Sequence, residues 1–511
     1  MIKKWHVSIL LMIPIGVIYA LVISVHWKPT WDSATYIMLG KSLITFNGFK
    51  YMGIPHTKYP FMFPLMLAPI IGIFGKNFLL MRIFIVLTAL GSIYLTYWLF
   101  SRKYNFWFGM GMMLMTAASF PLMFESTRIL SDIPYMFFSL LALVFIRRYA
   151  KEEHWKNKNA YISVILMLVS FFTRYIGMAL FAGTMLYMLI NSSGNLKLRF
   201  KKIVFIGIIF LIPASAWMIR GAVIRHINPH PPGLREFLSY EKELVVTNPS
   251  DPHSDNVRWN NFVSRIKNNE IYYERLIGDI IHGKSADMKT RSRILSIIFL
   301  VGFVYCLIRY RDVFEYYVFF YILTYILWTS LQGHRFLVPM IPFIFYYFVK
   351  AVLIIPHVLR LIINKIKPSE HVWFIIKSTL VVLMAFLAIY LNFEADRNII
   401  KAERIKPYYT GTLAEFLNSL EWIKDNTSPD TVIISGRSPW VYMITERKTF
   451  TPPWVNNIQE VAQSIEENKA NYVISSPAVY SSQFLTPLIQ QKPEMFDKVH
   501  QIGSCVIYKV L

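Results

Sequence analysis

Charged residues are scarce in this sequence, and acidic residues are the scarcest. Only 16% of the 511 residues are charged, whereas 55% are hydrophobic, which excludes an ordinary soluble protein of this length. With two cysteines, Cys306 and Cys505, the chain cannot build a disulfide framework or a cysteine zinc site. It also lacks a Walker loop, a GxGxxG after a strand, a GxSxG and an HExxH. These absences point to a polytopic membrane protein without a common nucleotide or hydrolase motif.

Positive charge is in excess. Lys and Arg number 53 against 30 Asp and Glu, a net charge of +23. Nucleic-acid-binding proteins show such an excess too, but here the basic residues form short runs between apolar segments. That pattern is typical of cytoplasmic loops and of contact with anionic lipid, so membrane lipid is the expected partner and nucleic acid is not.

Apolar stretches long enough to cross about 30 Å of hydrocarbon recur along the chain. The first follows Lys3 and Lys4 and has no small-residue cleavage site, so we interpret it as an uncleaved span. About eleven spans are predicted: 5–25, 79–100, 105–122, 133–149, 160–173, 175–190, 202–219, 294–309, 313–330, 336–356 and 372–391. The stretch 160–190 is open to a different division. The predicted fold class is an all-α polytopic membrane protein.

The basic clusters fall on one face when the spans alternate sides. They are Arg102–Lys103, Arg147 to Lys158, Lys197 to Lys202, Arg309–Arg311 and Arg360 to Lys367. The positive-inside rule makes that face and the N-terminus cytoplasmic. The loop 26–78, the long segment 221–293 and everything after 392 are then non-cytoplasmic.

Two external segments carry their own structure. The run 59–75 is apolar but holds three prolines, so we expect a helix lying on or dipping into the outer leaflet, with a further span as the alternative. Segment 221–293 opens with the turn-rich sequences RHINPHPPGLREF and NPSDPHSD, and NNFVSRIKNNEIYYERLIGDII then predicts an amphipathic helix. We expect an external lid or platform there.

The composition becomes soluble after Asn392. The sequence TGTLAEFLNSLEWIKDN predicts a helix, TVIISG, NYVISS and SCVIYKV predict strands, and NNIQEVAQSIEEN predicts another helix. The predicted domains are therefore a transmembrane domain, 1–391, with external loops 26–78 and 221–293, and a C-terminal non-cytoplasmic α/β domain, 392–511.

Acids at helix entrances on the external face are the first candidates for chemistry. Asp32 lies in WDSATYI and Asp132 in ESTRILSDIPY, with Glu125 shortly before the latter. Capping of a helix is an equally weighted alternative for both aspartates, because Asp before a helix is a favoured N-cap. Acids where a polar loop meets the bilayer are, however, often functional.

Cations on the same face are candidate phosphate ligands. They are Lys58, Arg128, Arg174 and Arg335, and each arginine alone has an alternative interpretation as an interfacial side chain reaching lipid headgroups. His334 lacks a metal-binding partner at ligand spacing, so we expect a neutral hydrogen-bonded role and no metal site. Trp31 fits an interfacial belt or a surface that stacks on sugar.

At these residues the chain resembles the GT-C glycosyltransferases, specifically the protein O-mannosyltransferases, lipid A aminoarabinose transferases and related enzymes that use polyprenyl-phosphate sugars. The resemblance lies in the order of its motifs: Asp32 after the first span, TKYPFMFPL, TRILSDIPY, HRFLVPMIPF and a soluble tail with EWIKDNTSPDTVIIS, VYMITERK and NYVISS. It implies Asp32 as base, Asp132 as a second acid, and Lys58 and Arg335 as phosphate ligands. From their positions in the chain we expect folding to bring Lys58 and Arg335 to one headgroup-level pocket with Arg128 or Arg174. Ser33 stands where several relatives have another acid.

The resemblance implies an integral-membrane enzyme that transfers a sugar from a polyprenyl-phosphate donor to a glycan, lipid or protein acceptor on the non-cytoplasmic face. Configuration at the sugar inverts by family analogy. No cofactor is obligatory, since an alkyl phosphate leaves once its charge is stabilised and the acceptor loses its proton. A transporter or lipid flippase is the alternative, although the sequence shows no repeated pair of broken spans. A third alternative is an assembly subunit, for which Asp32 is dispensable.

Overall fold

A computed structural model describes residues 4–227, 239–247, 254–283, 289–354, 370–479 and 482–511. The turn-rich sequences at 228–238 and 248–253 and the basic cluster from Arg360 to Lys367 lie outside the described residues.

Helices dominate the first part of the chain. In chain order they are α1 (Lys4–Ala20), α2 (Trp31–Ile44), α3 (Met62–Phe74), α4 (Phe78–Lys103), α5 (Phe106–Ala117), α6 (Phe120–Ser126), α7 (Asp132–Ala150), α8 (Lys158–Thr173), α9 (Gly177–Asn191) and α10 (Leu196–Ile227). Strands β1 (Lys50–Tyr51) and β2 (Ile54–Pro55) form a short antiparallel hairpin between α2 and α3.

The second part of the chain mixes helices with a sheet. The helices are α11 (Tyr240–Val245), α12 (Trp259–His282), α13 (Lys289–Arg309), α14 (Val313–Leu327), α15 (Ile341–Val352), α16 (Glu370–Ala402), α17 (Gly411–Asn426), α18 (Ser438–Thr445), α19 (Ile458–Glu467) and α20 (Ser482–Gln491). The strands are β3 (Val432–Ile434), β4 (Lys448–Phe450), β5 (Tyr472–Ser475), β6 (Phe496–Ile502) and β7 (Cys505–Val510). Within the described residues, 3₁₀ segments cover Gly333–Met340 and Pro493–Met495.

Each predicted span falls on an apolar helix. Within the described residues, six helices are long and apolar enough to cross a membrane, and the bent pair α5 and α6, with a 55° break, makes a seventh if it is one span. The other predicted spans coincide with apolar helices of 10–17 residues, namely α1, α8, α9 and α14. The helical membrane fold is therefore confirmed, while the count of eleven spans stays a prediction.

One compact unit contains Met1–Val25, Phe78–Ala216 and Phe262–Glu403. In it α4 packs on α5 and α7, α7 packs on α8, α9 packs on α14, and α13 packs on α15. Gly183 shows how closely α9 approaches α14, because a Cβ on it would lie 2.7 Å from the backbone nitrogen of Tyr317. Such close approach at small residues is typical of helix packing in membranes.

A second compact unit contains His26–Asn77, Trp217–Asn261 and Arg404–Leu511. Its sheet has the order β4-β3-β5-β7-β6, with β3 parallel to β4 and β5, and with β7 antiparallel to β5 and β6. The predicted strands TVIISG, NYVISS and SCVIYKV are β3, β5 and β7. In the same unit α2 packs on α3 and on α18.

The helix predicted in the external segment is also present. The sequence NNFVSRIKNNEIYYERLIGDII forms most of α12, and the apolar run 59–75 contains α3, with Pro69 inside it. The last long helix continues past the predicted end at 391 to Ala402.

Candidate functional site

Asp32 lies in the first turn of α2 and does not cap that helix. The N-cap is Thr30, whose hydroxyl oxygen accepts a hydrogen bond from the Ser33 backbone nitrogen at 3.3 Å. The capping alternative for Asp32 is therefore wrong in this structure. A carboxylate in the first turn still gains from the helix dipole, which favours negative charge at this end.

The carboxylate of Asp32 is oriented by Tyr59. The Tyr59 hydroxyl donates a hydrogen bond to Oδ1 of Asp32 at 2.7 Å. Burial, and then the negative charge of Asp32, raise the pKa of Tyr59 well above its ordinary value, so the hydroxyl stays protonated and remains a donor. The Tyr59 ring stacks on His56 at 5.3 Å, and Nε2 of His56 accepts from the Tyr59 backbone nitrogen at 3.1 Å. Tyr59 is thus fixed from both ends.

Lys58 is next to Tyr59 in the chain and is paired with an acid. Its Nζ lies 2.5 Å from Oε1 of Glu243 in α11, and only 8% of either side chain is exposed. The Tyr240 ring lies 5.5 Å from the same ammonium group. Since Tyr59 contacts Asp32 and Lys58 precedes it, one loop holds an acid and a buried cation in fixed positions within this unit.

Asp132 belongs to the other unit, where two arginines hold it. Its Oδ1 lies 2.7 Å from Nη1 of Arg174, and its Oδ2 accepts a hydrogen bond from Nε of Arg335 at 2.8 Å. The side chain is 1% exposed, and Ser131 occupies the N-cap position of α7. Two guanidinium groups around one carboxylate leave the cluster with a net positive charge, which suits it to an anion.

Helix α12 holds the segment that carries Arg335. The amide of Asn269 donates to the carbonyl oxygen of Trp328 at 2.6 Å, and the Tyr272 hydroxyl accepts from the Gly333 backbone nitrogen at 2.9 Å. Gly333 has a φ of +63°, a left-handed conformation that glycine adopts without strain. These contacts begin the 3₁₀ segment and set the position from which Arg335 reaches Asp132.

His334 points to a second acid on α12. Its Nε2 lies 3.8 Å from Oδ2 of Asp279, and Oδ1 of the same carboxylate accepts a hydrogen bond from the Ser292 hydroxyl at 2.5 Å. Burial alone raises the pKa of Asp279, but the nearby His334 ring and the hydrogen bond from Ser292 outweigh it and leave the pKa below its ordinary value. The predicted hydrogen-bonded role of His334 stays a prediction, because 3.8 Å is longer than a hydrogen bond.

The remaining candidates are placed as follows. Arg128 lies 3.2 Å from Glu125 and over the Phe124 ring at 4.3 Å, a local pair outside the ion pairs of Asp132. Trp31 is the first residue of α2 and is half-buried. Within the part of the chain that the structure describes, no three His, Cys, Asp or Glu side chains are grouped as metal ligands would be.

The predicted candidates thus separate into two sets. Asp32 and Lys58 lie in one unit, and Asp132, Arg174 and Arg335 form a cluster in the other. The predicted pocket shared by Lys58 and Arg335 stays a prediction.

Three polar partners were not predicted as site residues. The sequence could have indicated Tyr59 as a site residue, since it follows Lys58 directly in an aromatic loop. No local pattern indicated Glu243 or Asp279. Glu243 contacts a lysine 185 residues away in the chain. Asp279 lies on a helix whose sequence pattern predicts only that the helix is amphipathic.

Comparisons with known proteins agree with this fold. Residues 58–219 match the model of the family described as dolichyl-phosphate-mannose-protein mannosyltransferase. The structure is similar to ArnT from Cupriavidus metallidurans bound to undecaprenyl phosphate, with a TM-score of 0.61, 11% identity and 98% of each chain covered. It is also similar to the oligosaccharyltransferase AglB from Archaeoglobus fulgidus in complex with an inhibitory peptide and a dolichol-phosphate, with a TM-score of 0.56, 14% identity, and 92% of this chain and 69% of that one covered.

No curated protein matches in a direct comparison of sequences. The family match begins at Lys58 and includes Glu125, Arg128, Asp132 and Arg174, so it contains five residues of the predicted site. The resemblance to the GT-C glycosyltransferases is therefore confirmed, and this integral membrane protein has their fold.

Proposed function

We propose that the protein transfers a sugar from a polyprenyl-phosphate carrier to a hydroxyl group of a glycan, lipid or protein acceptor. Two similar structures, by their descriptions, hold undecaprenyl phosphate and a dolichol-phosphate, which supports a carrier of this class. The observation that carries the proposal is the loop in which Tyr59 contacts Asp32 while the adjacent Lys58 presents a buried ammonium group.

In the proposed reaction the acceptor oxygen attacks the anomeric carbon from the face opposite the phosphate. A carboxylate oxygen of Asp32 takes the hydroxyl proton as the new carbon–oxygen bond forms. The bond from the anomeric carbon to the phosphate oxygen breaks, and its electron pair leaves with the phosphate, which gains one negative charge. The sugar inverts its configuration. Tyr59 keeps the carboxylate aligned, which matters because orientation contributes a large part of such rate enhancements.

The growing charge on the phosphate requires fixed cations. In its own unit Lys58 supplies one, and the carboxylate of Glu243 holds that ammonium group where the phosphate oxygens are to bind. In the other unit we assign Asp132 a positioning role: it holds Arg174 and Arg335 side by side, and these guanidinium groups bind phosphate oxygens in the predicted manner. Arg128, paired with Glu125, is the more peripheral candidate.

The proposed reaction takes place on the non-cytoplasmic face, with the N-terminus in the cytoplasm. This orientation follows from the basic clusters that alternate with the spans. A reporter fused after Leu511 and a protease site inserted near Asp255 should both report the non-cytoplasmic compartment. Cytoplasmic labelling at both positions contradicts the orientation and places Asp32 on the wrong side.

The transfer itself is tested with the purified protein in lipid nanodiscs and a panel of radiolabelled polyprenyl-phosphate sugars. We expect at least one donor to release label into water or a candidate acceptor, with unlabelled polyprenyl phosphate as the second product. In sealed proteoliposomes, movement of intact donor between leaflets without cleavage would favour the flippase alternative. If no donor in the panel gives either release or transfer of label, the proposal is contradicted.

A further inference from the structure

A cationic cavity lies where the C-terminal ends of α4 and α7 pack together. It has a volume of about 310 Å³, and its lining includes Arg102 from α4 and Arg147, Arg148 and Lys151 from the end of α7, beside the ring of Trp98. Both helices are long and apolar enough to span a membrane. Because the cavity is at their last turns, it lies at the level of the lipid headgroups, on the face that the basic clusters predict to be cytoplasmic.

The Trp98 ring makes cation–π contacts with two of these cations. The guanidinium carbons of Arg102 and Arg148 lie 5.7 Å and 5.1 Å from its ring centre. Cation–π contacts of this kind fix the planes of both groups. Two arginines from different helices are thereby held on one aromatic side chain instead of extending separately into solvent.

The cavity has too little negative charge to balance its cations. Arg147 lies 3.4 Å from Oδ2 of Asp312, but that carboxylate is also paired with Lys103 at 2.7 Å. In the described part of the chain, no carboxylate lies at ion-pair distance from Arg102, Arg148 or Lys151. Helix C-termini favour cations, which accounts for basic residues at these ends but not for their convergence on one concave surface. The lining is therefore left with a net positive charge.

The rest of the lining is hydrocarbon, supplied by the buried side chains of Leu99 and Val144. We propose that this α4–α7 cavity binds the phosphate headgroup of an anionic phospholipid. The guanidinium groups of Arg102 and Arg148 contact the phosphate oxygens, and the apolar wall contacts the glycerol and first acyl carbons. A mixed lining at headgroup level favours a lipid over a free phosphate. The proposal does not depend on the proposed glycosyl transfer.

The test is native mass spectrometry of protein released from nanodiscs that contain equal amounts of phosphatidylglycerol and phosphatidylcholine. Wild type should retain phosphatidylglycerol in preference to phosphatidylcholine. The double variant Arg102→Gln with Arg148→Gln removes two charges while keeping side-chain length. Retained phosphatidylglycerol should fall about tenfold or more, since each cation near an anionic headgroup contributes several-fold in affinity.

The matched control is Arg309→Gln with Arg311→Gln. These two exposed arginines are on the same predicted face but outside the cavity lining, so their removal should leave retention unchanged. Equal losses in both double variants would show diffuse attraction to anionic lipid and overturn the cavity site. If the first double variant fails to fold, the single changes Arg102→Gln and Arg148→Gln are measured, and each should lose about threefold; unchanged retention in both contradicts the proposal.

Competition with inorganic phosphate distinguishes a lipid headgroup from free phosphate as the ligand of the cavity. At millimolar concentration it should displace less than half of the retained phosphatidylglycerol, because it lacks the apolar part that contacts Leu99 and Val144. Complete displacement by inorganic phosphate would assign the cavity to a soluble phosphate and overturn the lipid proposal.

Discussion

The Tyr59 hydroxyl donates a hydrogen bond to Oδ1 of Asp32 at 2.7 Å, across 27 residues of sequence. This contact ties the loop between α2 and α3 to the start of α2 and gives the proposed base a fixed orientation. Because the pKa of Tyr59 is raised by burial and by Asp32, the donor keeps its proton throughout the range in which enzymes work. The neighbouring Lys58 is paired with Glu243, with 2.5 Å between the ammonium nitrogen and the carboxylate oxygen.

Replacing Tyr59 by Phe should slow transfer without changing the fold. The ring keeps its stacking on His56, while Asp32 loses one hydrogen bond worth about 1.5–3 kcal/mol to a charged group. We expect kcat to fall about tenfold to a hundredfold, with little change in the donor KM. Tyr472→Phe in β5 is the control. An unchanged kcat would show that the Tyr59 hydroxyl has only a structural role and does not contribute to transfer.

Replacing Glu243 by Gln should leave the Lys58 charge buried without its counterion. Loss of one partner from a buried ion pair costs about 3–5 kcal/mol, so the Tm in the absence of ligand should fall. Undecaprenyl phosphate supplies the missing anion in our account, and its addition should raise the Tm of the variant by more than that of wild type. Glu421→Gln, at an exposed position of α17, should behave as wild type. A smaller ligand-induced rise in Glu243→Gln would remove Lys58 from phosphate binding.

Replacing Arg335 by Ala should weaken use of the donor about tenfold or more, because one charged contact to phosphate is lost. Arg335→Lys should recover only part of this, since an ammonium group cannot bind Asp132 and phosphate with the geometry of a guanidinium. Steady-state kinetics with varied donor, normalised for folded protein, measure both effects. Arg293→Ala, an exposed arginine of α13, is the control. Equal donor kinetics in all four proteins would identify Arg335 as an interfacial anchor.

The change of stability with pH should depend on Asp279. A carboxyl whose folded pKa is below its unfolded value, about 3.9, contributes stability above that pH and loses it as pH falls through the folded value. Asp279→Asn should therefore cost about 1–2 kcal/mol near neutral pH, and this difference from wild type should shrink as the pH falls from about 5 through the folded pKa. Thermal unfolding across that range measures it, with the exposed Asp497→Asn as control. A difference that is independent of pH would show that the charge of Asp279 does not matter.

Local patterns in the sequence predicted most of the helices and three of the strands. Apolar length identified the spans, and the division of 160–190 at Arg174 is present, with α8 ending at Thr173 and α9 beginning at Gly177. The bend between α5 and α6 was not predicted. It coincides with Pro121 at the start of α6, a position that proline tolerates, inside a run that reads as continuously apolar.

The residue types of the candidate site were predictable, but their partners were not. An acid at a helix entrance fits both a cap and a base, and only the structure assigns the cap of α2 to Thr30. Asp132 meets Arg335 across 203 residues, and no local period records such a contact. Contacts between residues that are distant in the chain depend on how the helices pack against one another. Local sequence patterns predict only the position and composition of each helix.

Asp32→Asn tests the central claim most directly. Because Thr30 caps α2, the change removes the carboxylate charge while leaving the cap in place, and Asn keeps an oxygen that accepts from Tyr59. With the Tm and donor binding of the variant close to wild type, we predict that transfer falls about a hundredfold or more, the range that general-base catalysis supplies. Asp425→Asn, at an exposed position of α17, should retain full activity. Near-normal transfer by a folded, donor-binding Asp32→Asn protein would contradict the account.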